Sequence, residues 1–292
     1  MISVKKDYNS IPTKLLSSGC EVLKNDAIVN KGKHKFQSSY YGSGCKSELV
    51  LLYNNKCCFC ESDPSPSTFG RVEHFRPKNK SPKKSPYGAH EGYYWLGYEW
   101  SNLLLICEKC NNKKSSHFPL FDENNRVLNH PLDNNSQLIS NTTNAIYQKE
   151  GNVLLNPEID QVEDYFIFKP DGNIIGIDSL GRGEVSITLY NLRRENLNLA
   201  RKKIADDFFD EIKRSLVRFI KSELNEISLK DILNLKFTTL ARNSNNIKLQ
   251  YSRVWYFMFN KFEIFAKEYL LNQSDYDLVV ARFTIFSEEL TI

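Results

Sequence analysis

The sequence predicts an α+β protein that is mainly helical and carries one small cysteine-rich unit. From about residue 195, apolar residues recur mostly every four positions, which is typical of long amphipathic helices. Two short apolar runs on either side of Pro170-Asp171-Gly172-Asn173 are typical of a β-hairpin. Two Cys-x-x-Cys pairs lie in the N-terminal half. We therefore expect an N-terminal helical region at 1–56, a cysteine-rich domain at 57–135 and a mainly helical domain at 136–292.

The elements are expected in the following order. Residues 8–55 contain apolar clusters with roughly helical spacing, and residues 120–150 are polar and rich in Asn, which predicts a surface connection. An apolar stripe that runs from Leu197 to Ile220 predicts one long helix. Further helices are expected over three later segments, Ile227–Leu240, Ile247–Leu271 and Asp275–Leu290.

The composition indicates a folded protein of the cytoplasm. Hydrophobic residues make up 41% of the 292 residues and charged residues 25%, so the chain can bury a core and a disordered chain is excluded. The longest apolar run, Val254–Phe259, has six residues, whereas a membrane span needs about 18. The N-terminus lacks the apolar stretch of a secretory signal. We therefore expect no membrane contact and seven reduced cysteines.

The two Cys-x-x-Cys pairs predict a structural zinc site. Cys57 and Cys60 form the first pair, and Cys107 and Cys110 form the second. Two intervening residues let one tight turn present both thiolates to a tetrahedral Zn²⁺ at about 2.3 Å. The alternative, a redox pair, would follow a strand in a βαβ unit, and no such pattern is present. The remaining three cysteines are expected to pack inside the protein: Cys20, Cys45 and Cys58.

A basic segment lies between the two pairs. The net charge of the chain is +4, but residues 71–84 carry six basic residues and one acid, Glu73, and so contribute +5. Such a local patch predicts a polyanionic partner, with a solvated loop as the alternative. The residues expected to contact nucleic acid are Arg76, Lys78, Lys80, Lys83 and Lys84, together with Lys113 and Lys114 after the second pair.

Two polar elements lie between the two cysteine pairs, and a third lies directly after the second pair. They are the acid–histidine pair Glu73-His74, then Asn102 before an apolar run, and then Asn111 directly after the last cysteine. Together with the two cysteine pairs, this order over residues 57–118 resembles the HNH endonucleases. The resemblance implies a zinc-clamped ββα-metal nuclease core within the mainly helical chain.

Longer strings narrow the resemblance. CCFCE, VEHFRPK, YYWLGYEWSNLLLIC and CNNKKSSHFPL are similar to PtuB-type HNH proteins, the effectors of Septu and retron-associated anti-phage systems. LLNPEID and ITLYNLRRENLNLAR extend the likeness to about residues 50–205. The resemblance implies a PtuA-like ATPase partner and, in retron-associated systems, a reverse transcriptase with its DNA–RNA product. The chain has no P-loop pattern of its own, so nucleotide sensing would come from the partner.

The resemblance also assigns roles to individual residues. His74 would be the general base, because its ordinary pKa near 6.5 allows it to accept a proton from water. Glu73 and Asn111 would hold a catalytic Mg²⁺ or Mn²⁺, and Asn102 would fix the loop that orients His74. The sequence departs from the commonest HNH pattern in having Asn111 instead of the final His and Glu73 instead of Asp or His.

Several alternatives stay open at this point. The chain could be a zinc-dependent nucleic-acid-binding module without catalysis, or a nuclease whose target is an RNA such as tRNA instead of DNA. Contacts to the phosphate backbone carry little sequence information, so the motif does not choose between DNA and RNA. Asn102 could simply cap a helix, and His117 could replace Asn111 as the metal ligand.

Overall fold

The computed structural model describes residues 1–65, 70–81 and 90–290, which form two compact units. The first unit comprises Met1–Phe166 and Gly176–Leu192. The second comprises Ile167–Ile175 and Arg193–Ile292. No helix in the described ranges is long and apolar enough to cross a membrane.

The first unit begins with the predicted short helices. They are α1 (Thr13–Leu16), α2 (Ser18–Asn30), α3 (Ser38–Tyr41) and α4 (Lys46–Leu52). Ser17 caps α2, because its hydroxyl accepts a hydrogen bond from the backbone N–H of Cys20.

A strand–strand–helix arrangement follows these helices. Strand β1 (Arg71–His74) pairs antiparallel with β2 (Leu103–Ile106), and the register places His74 opposite Leu103. All four residues of β2 are buried, as expected for an unbroken apolar run inside a small unit. Helix α5 (Glu108–Lys114) starts directly after β2, with Cys107 at its N-cap position. Both β1 and α5 therefore adjoin β2, because β1 pairs with this strand and α5 directly follows it.

The segment at 120–150 is more than the predicted surface connection. It is largely irregular and contains one short helix, α6 (Ala145–Gln148). However, the side chains of Tyr147 and Glu150 are fully buried, and Glu150 forms an ion pair of 2.7 Å with Nε of Arg76. The prediction was wrong here because polar composition does not reveal a buried ion pair. The unit is completed by α7 (Arg182–Leu189).

The hairpin is present as predicted, and so are the long helices except the one over Ile247–Leu271. Strands β3 (Phe166–Phe168) and β4 (Ile174–Gly176) form a two-stranded sheet. Gly172 in the turn has φ +79°, and a Cβ there would lie 2.0 Å from the carbonyl oxygen of Asn198. The helices that follow are α8 (Glu195–Ile220), α9 (Glu226–Ser244), α10 (Ser252–Asn260), α11 (Phe262–Tyr269) and α12 (Gln273–Glu289). The single helix predicted over Ile247–Leu271 is therefore two helices.

Aromatic side chains form the core of the second unit. Phe237 contacts the rings of Phe262, Phe283 and Phe286, and Phe262 stacks on Phe283 with ring centroids 3.9 Å apart. Aromatic residues thus supply much of the apolar area that holds α9, α11 and α12 together.

Candidate metal and catalytic site

The four predicted zinc ligands lie together. The sulfurs of Cys57, Cys60, Cys107 and Cys110 are all within 4.8 Å of one another and are buried. The sulfurs of Cys60 and Cys107 are 3.7 Å apart. Four thiolates at about 2.3 Å from a tetrahedral Zn²⁺ are about 3.8 Å from one another, so the spacing and the all-sulfur donor set fit zinc. The structure thus confirms that these four cysteines could hold a metal ion.

The other cysteines lie outside this group. Cys58 is buried, and its backbone N–H donates to the carbonyl of Leu105 at 2.9 Å, which joins the first cysteine turn to β2. Cys20 and Cys45 are also buried, as predicted. The group of four cysteines therefore lies on one turn attached to β2 and on the N-cap and first turn of α5.

A pocket of about 440 Å³ brings together three of the predicted catalytic residues, Glu73, His74 and Asn111. Lys78 also lines this pocket. The remaining lining residues are Pro77, Asn79, Asn112, Ser115 and Ser116. The pocket is therefore polar and contains one carboxylate, one imidazole, amides and an ammonium group.

His74 presents one ring nitrogen with a free electron pair. Its Nε2 lies 2.9 Å from the carbonyl oxygen of Gly97, and because a carbonyl only accepts, Nε2 must carry the proton. Nδ1 is then the basic nitrogen, and it lies 3.3 Å from Nζ of Lys78. Burial and the charges of Lys78 and Lys114 hold the pKa of His74 well below its usual value. The imidazole is therefore neutral, as a general base must be before it accepts a proton.

Lys78 is held against aromatic rings. Its Nζ lies 4.7 Å from the ring centroid of Tyr41 and 5.5 Å from that of Phe36, within the range of cation–π contacts. Burial lowers the pKa of Lys78 to about 8, against the opposing attraction of Glu73. The aromatic rings thus keep the ammonium group inside the pocket beside His74.

Asn102 fixes the chain that leaves β1. Its Oδ1 accepts from the backbone N–H of Arg76 at 2.8 Å, and its Nδ2 donates to the carbonyls of Arg76 and Leu96 at 2.9 and 3.2 Å. The helical turn at this point is capped by Glu99, whose carboxylate accepts from the N–H of Ser101. Asn102 therefore holds the segment after His74 in place through these hydrogen bonds. It does not cap a helix, which was the alternative role.

Glu73 is paired with a buried lysine. Nζ of Lys114 lies 2.8 Å from Oε1 of Glu73 and 2.9 Å from the carbonyl oxygen of His74, and its side chain is fully buried. The expected contact between Lys114 and phosphate is therefore wrong for this structure. Lys114 follows Cys110 by four residues, which places both on the buried face of α5. This spacing could have indicated from the sequence that Lys114 is buried.

The other predicted nucleic-acid contacts differ in exposure. Arg76 is 1% exposed and donates to Glu150 and to the carbonyl of Tyr147, so its predicted phosphate contact is also wrong. Lys80 and Lys113 are exposed, as a phosphate contact requires. Lys83 and Lys84 lie outside the described residues.

His117 is not among the residues that line the pocket. It is partly exposed, and burial and Lys114 lower its pKa. Asn111, and not His117, therefore lines the pocket as the candidate metal ligand.

The contacts of His74 with Lys78 and Gly97 were not predicted from the sequence. They depend on how the loop after β1 folds back.

The chain is similar to curated proteins of the Septu system. Septu protein PtuB of Bacillus mycoides (strain KBAB4) is 32% identical over 203 residues, which are 69% of this chain and 62% of that protein. Septu protein PtuB of Bacillus thuringiensis is 31% identical over 118 residues, which are 40% of this chain and 38% of that protein. The chain thus spans about three fifths of the length of the first relative and less of the second.

A third relative has a different name. Septu protein PtuA of Bacillus mycoides (strain KBAB4) is 26% identical over 186 residues, which are 63% of this chain but 23% of that protein. A segment similar to this chain is therefore also found within a much longer one. No family model and no solved structure matches the chain.

Proposed function

We propose that the chain is a PtuB-type Septu protein and acts as a metal-dependent HNH endonuclease that hydrolyses phosphodiester bonds of nucleic acid. The observation that carries the proposal is the neutral His74 with its unprotonated Nδ1, in one pocket with the carboxylate of Glu73 and the amide of Asn111. A passive binding module would not need this combination. The similarity to Septu protein PtuB over 69% of the chain supports the PtuB-type part of this proposal.

His74 is the general base of the proposed reaction. The carbonyl of Gly97 fixes the ring and its tautomer, and Asn102 fixes the backbone two residues later. Nδ1 then takes the proton of the attacking water as the new bond to phosphorus forms. A positioned base of this kind contributes about 10²–10⁴-fold to a rate.

Glu73 and Asn111 would hold the catalytic Mg²⁺ or Mn²⁺. Lys114 occupies Oε1 of Glu73 and leaves Oε2 as the oxygen for a cation. Mg²⁺ is commonly bound by one or two protein oxygens together with water and phosphate, so this donor set fits the ion. When bound, the ion polarises the phosphoryl group and stabilises the leaving oxygen.

The structural zinc proposed at the four cysteines supports the pocket from the opposite end of α5. Cys107 is the N-cap residue of α5 and Cys110 lies in its first turn, and Asn111 and Lys114 lie on the same helix. Cys57 and Cys60 belong to the turn attached to β2. Holding these two parts together fixes the position of Asn111 relative to Glu73 and His74.

The proposed context is anti-phage defence together with a PtuA-like ATPase. The names of the relatives, Septu protein PtuB and Septu protein PtuA, support it. A retron reverse transcriptase with its DNA–RNA product is a further proposed partner, supported by the family resemblance.

The test is to incubate the purified protein with DNA and with total RNA, with and without a PtuA-like ATPase, in Mg²⁺ and in EDTA. We expect cleavage of at least one substrate in Mg²⁺ and none in EDTA. Binding without cleavage under all of these conditions would favour the non-catalytic module.

A further inference from the structure

A second pocket lies along the segment that follows His74. Its volume is about 210 Å³, below the roughly 300–1,000 Å³ of sites for drug-sized ligands. Phe75 and Arg76 line it, whereas His74 and Pro77, on either side of them in sequence, line the first pocket. The Cα atoms of His74 and Arg76 can be at most about 7 Å apart, so the second pocket is close to the proposed reaction centre.

The charges around this pocket are compensated. Arg182 contacts both carboxylate oxygens of Asp160, at 2.8 and 3.0 Å, and Arg76 is paired with Glu150 at 2.7 Å. A phosphate group would therefore find no uncompensated positive charge in this pocket. A neutral ligand fits these surroundings better than an anion.

The pocket contains a buried hydrogen-bond donor that lacks a partner. Asn156 is 2% exposed, and its Oδ1 accepts from the N–H of Glu158 at 3.0 Å. Its Nδ2 has no partner among the described residues. Leaving a buried donor unmet is costly, so an acceptor that reaches Nδ2 when a ligand enters the pocket would be favoured. The amides of Gln148 and Asn152 line the same pocket.

Large apolar side chains lie exposed at this pocket. Phe121 is 52% exposed, Ile159 is 42% exposed and Leu180 is 67% exposed, and all three line it. The backbone N–H of Phe121 donates to the carbonyl of Gly151 at 3.0 Å, so the backbone that carries the ring is held in place. An exposed aromatic ring next to amide groups is the combination by which proteins hold an unstacked base.

We propose that this second pocket receives one unstacked nucleobase of the substrate. The base stacks on Phe121, and one of its acceptors takes the hydrogen bond that Asn156 Nδ2 offers. The inference rests on the proposed nuclease function and adds base recognition to it. The base belongs to a nucleotide near the scissile bond, because the same segment of chain lines both pockets.

The test is an abasic scan of single-stranded DNA and RNA oligonucleotides in Mg²⁺. One abasic site is moved a single position at a time past the cleavage site. For the wild-type protein we expect one position at which the missing base slows cleavage about 5- to 150-fold, the effect of losing one stacked base. The affinity of the His74→Ala variant for the same oligonucleotides, measured by fluorescence anisotropy, should fall at the same position.

The Phe121→Ala variant links this position to the pocket. This variant should cleave the intact oligonucleotide more slowly than the wild-type protein does, by about the factor that the abasic site causes. It should cleave the abasic oligonucleotide almost as fast as the wild-type protein does. Phe121→Trp should retain most of the activity. Leu128→Ala is the matched control, because Leu128 is 68% exposed and does not line the pocket.

The outcomes separate the two proposals. If the wild-type protein cleaves but the abasic scan is flat in both rate and affinity, the base pocket is refuted and the nuclease stands. The base pocket is also refuted if Phe121→Ala slows intact and abasic oligonucleotides equally. If the protein cleaves no nucleic acid at all, the nuclease function itself fails.

Discussion

Nζ of Lys78 lies 3.3 Å from Nδ1 of His74, the ring nitrogen that carries the free electron pair. An ammonium group at this distance donates its hydrogen to the nitrogen that the proposed reaction needs as a base. A substrate phosphate in the pocket would attract the same ammonium group and release Nδ1. In the proposed reaction, Lys78 would therefore couple the availability of the base to the presence of the substrate.

Lys78→Met should reduce cleavage at saturating substrate about 10²-fold, because it removes a charge that would face the phosphate. The methionine keeps an unbranched chain against Phe36 and Tyr41, so the fold should be unchanged. The control is Lys80→Met, since Lys80 is exposed. It should mainly weaken binding and reduce the slope of log affinity against log salt by about one unit. Equal effects of the two variants on turnover would contradict this role for Lys78.

Cys107→Ser should lose the metal and destabilise the first unit, because the free energy of binding a structural zinc contributes directly to folding. Elemental analysis of the purified wild-type protein should give about one Zn²⁺ per chain. Cys58→Ala is the control, because Cys58 is buried next to the cluster but is not part of it. Full zinc in Cys107→Ser, or loss of zinc only in Cys58→Ala, would show that the ligand set is different.

Asn102→Ala should lower the free energy of unfolding by about 1–3 kcal/mol, because it leaves the buried backbone groups of Arg76 without partners. Cleavage should fall as well, since the segment after His74 loses its clamp. Denaturant unfolding and cleavage assays on the same sample measure both effects. Asn124→Ala, at an exposed position, is the control. Unchanged stability in Asn102→Ala would rule out the clamp.

His90 should make folding depend on pH below about 6.5. Its Nε2 donates to the carbonyl of Ser116 and its Nδ1 accepts from the N–H of Gly92, so a second ring proton would oppose the N–H of Gly92. Burial and the charge of Arg126 lower the pKa of His90 to about 4. The folded chain therefore binds this proton more weakly than the unfolded chain does. The contribution of the neutral His90 ring to the free energy of unfolding is therefore complete above about pH 6.5 and is lost as the pH falls towards 4.

The pKa of the His90 ring can be followed by NMR, and its signals should stay those of a neutral imidazole at about pH 5. In His90→Asn, the loss of stability on acidification from about pH 7 to about pH 5 should be smaller than in the wild-type protein. A His90 ring that titrates near its ordinary pKa would contradict the expected pH dependence.

Sequence patterns predicted those features that local geometry imposes. The stripe from Leu197 to Ile220 follows the helical period and is α8, and two Cys-x-x-Cys pairs form one group because each turn presents two sulfurs. The end of α10 before Lys261 was not predicted, because apolar residues continue on both sides of it.

Charged residues were harder to place, because their partners lie far away in sequence. Lys114 pairs with Glu73 across 41 positions, and Arg76 pairs with Glu150 across 74. A basic side chain with a distant buried acid cannot be distinguished from a surface one by composition. The residues of the second pocket are likewise dispersed along the chain, so no local pattern revealed them.

The proposed nuclease requires His74 as its base and Asn111 as a ligand of its metal ion. The most direct test measures the cleavage of a nucleic-acid substrate by wild-type, His74→Ala and Asn111→Ala proteins over a range of Mg²⁺ and Mn²⁺ concentrations. We predict that His74→Ala keeps its zinc, its fold and its affinity for nucleic acid but shows no cleavage at any metal concentration. Asn111→Ala should recover part of its activity as the metal concentration rises. A folded His74→Ala protein that still cleaves, or one that loses zinc and unfolds, would show that His74 is not the base.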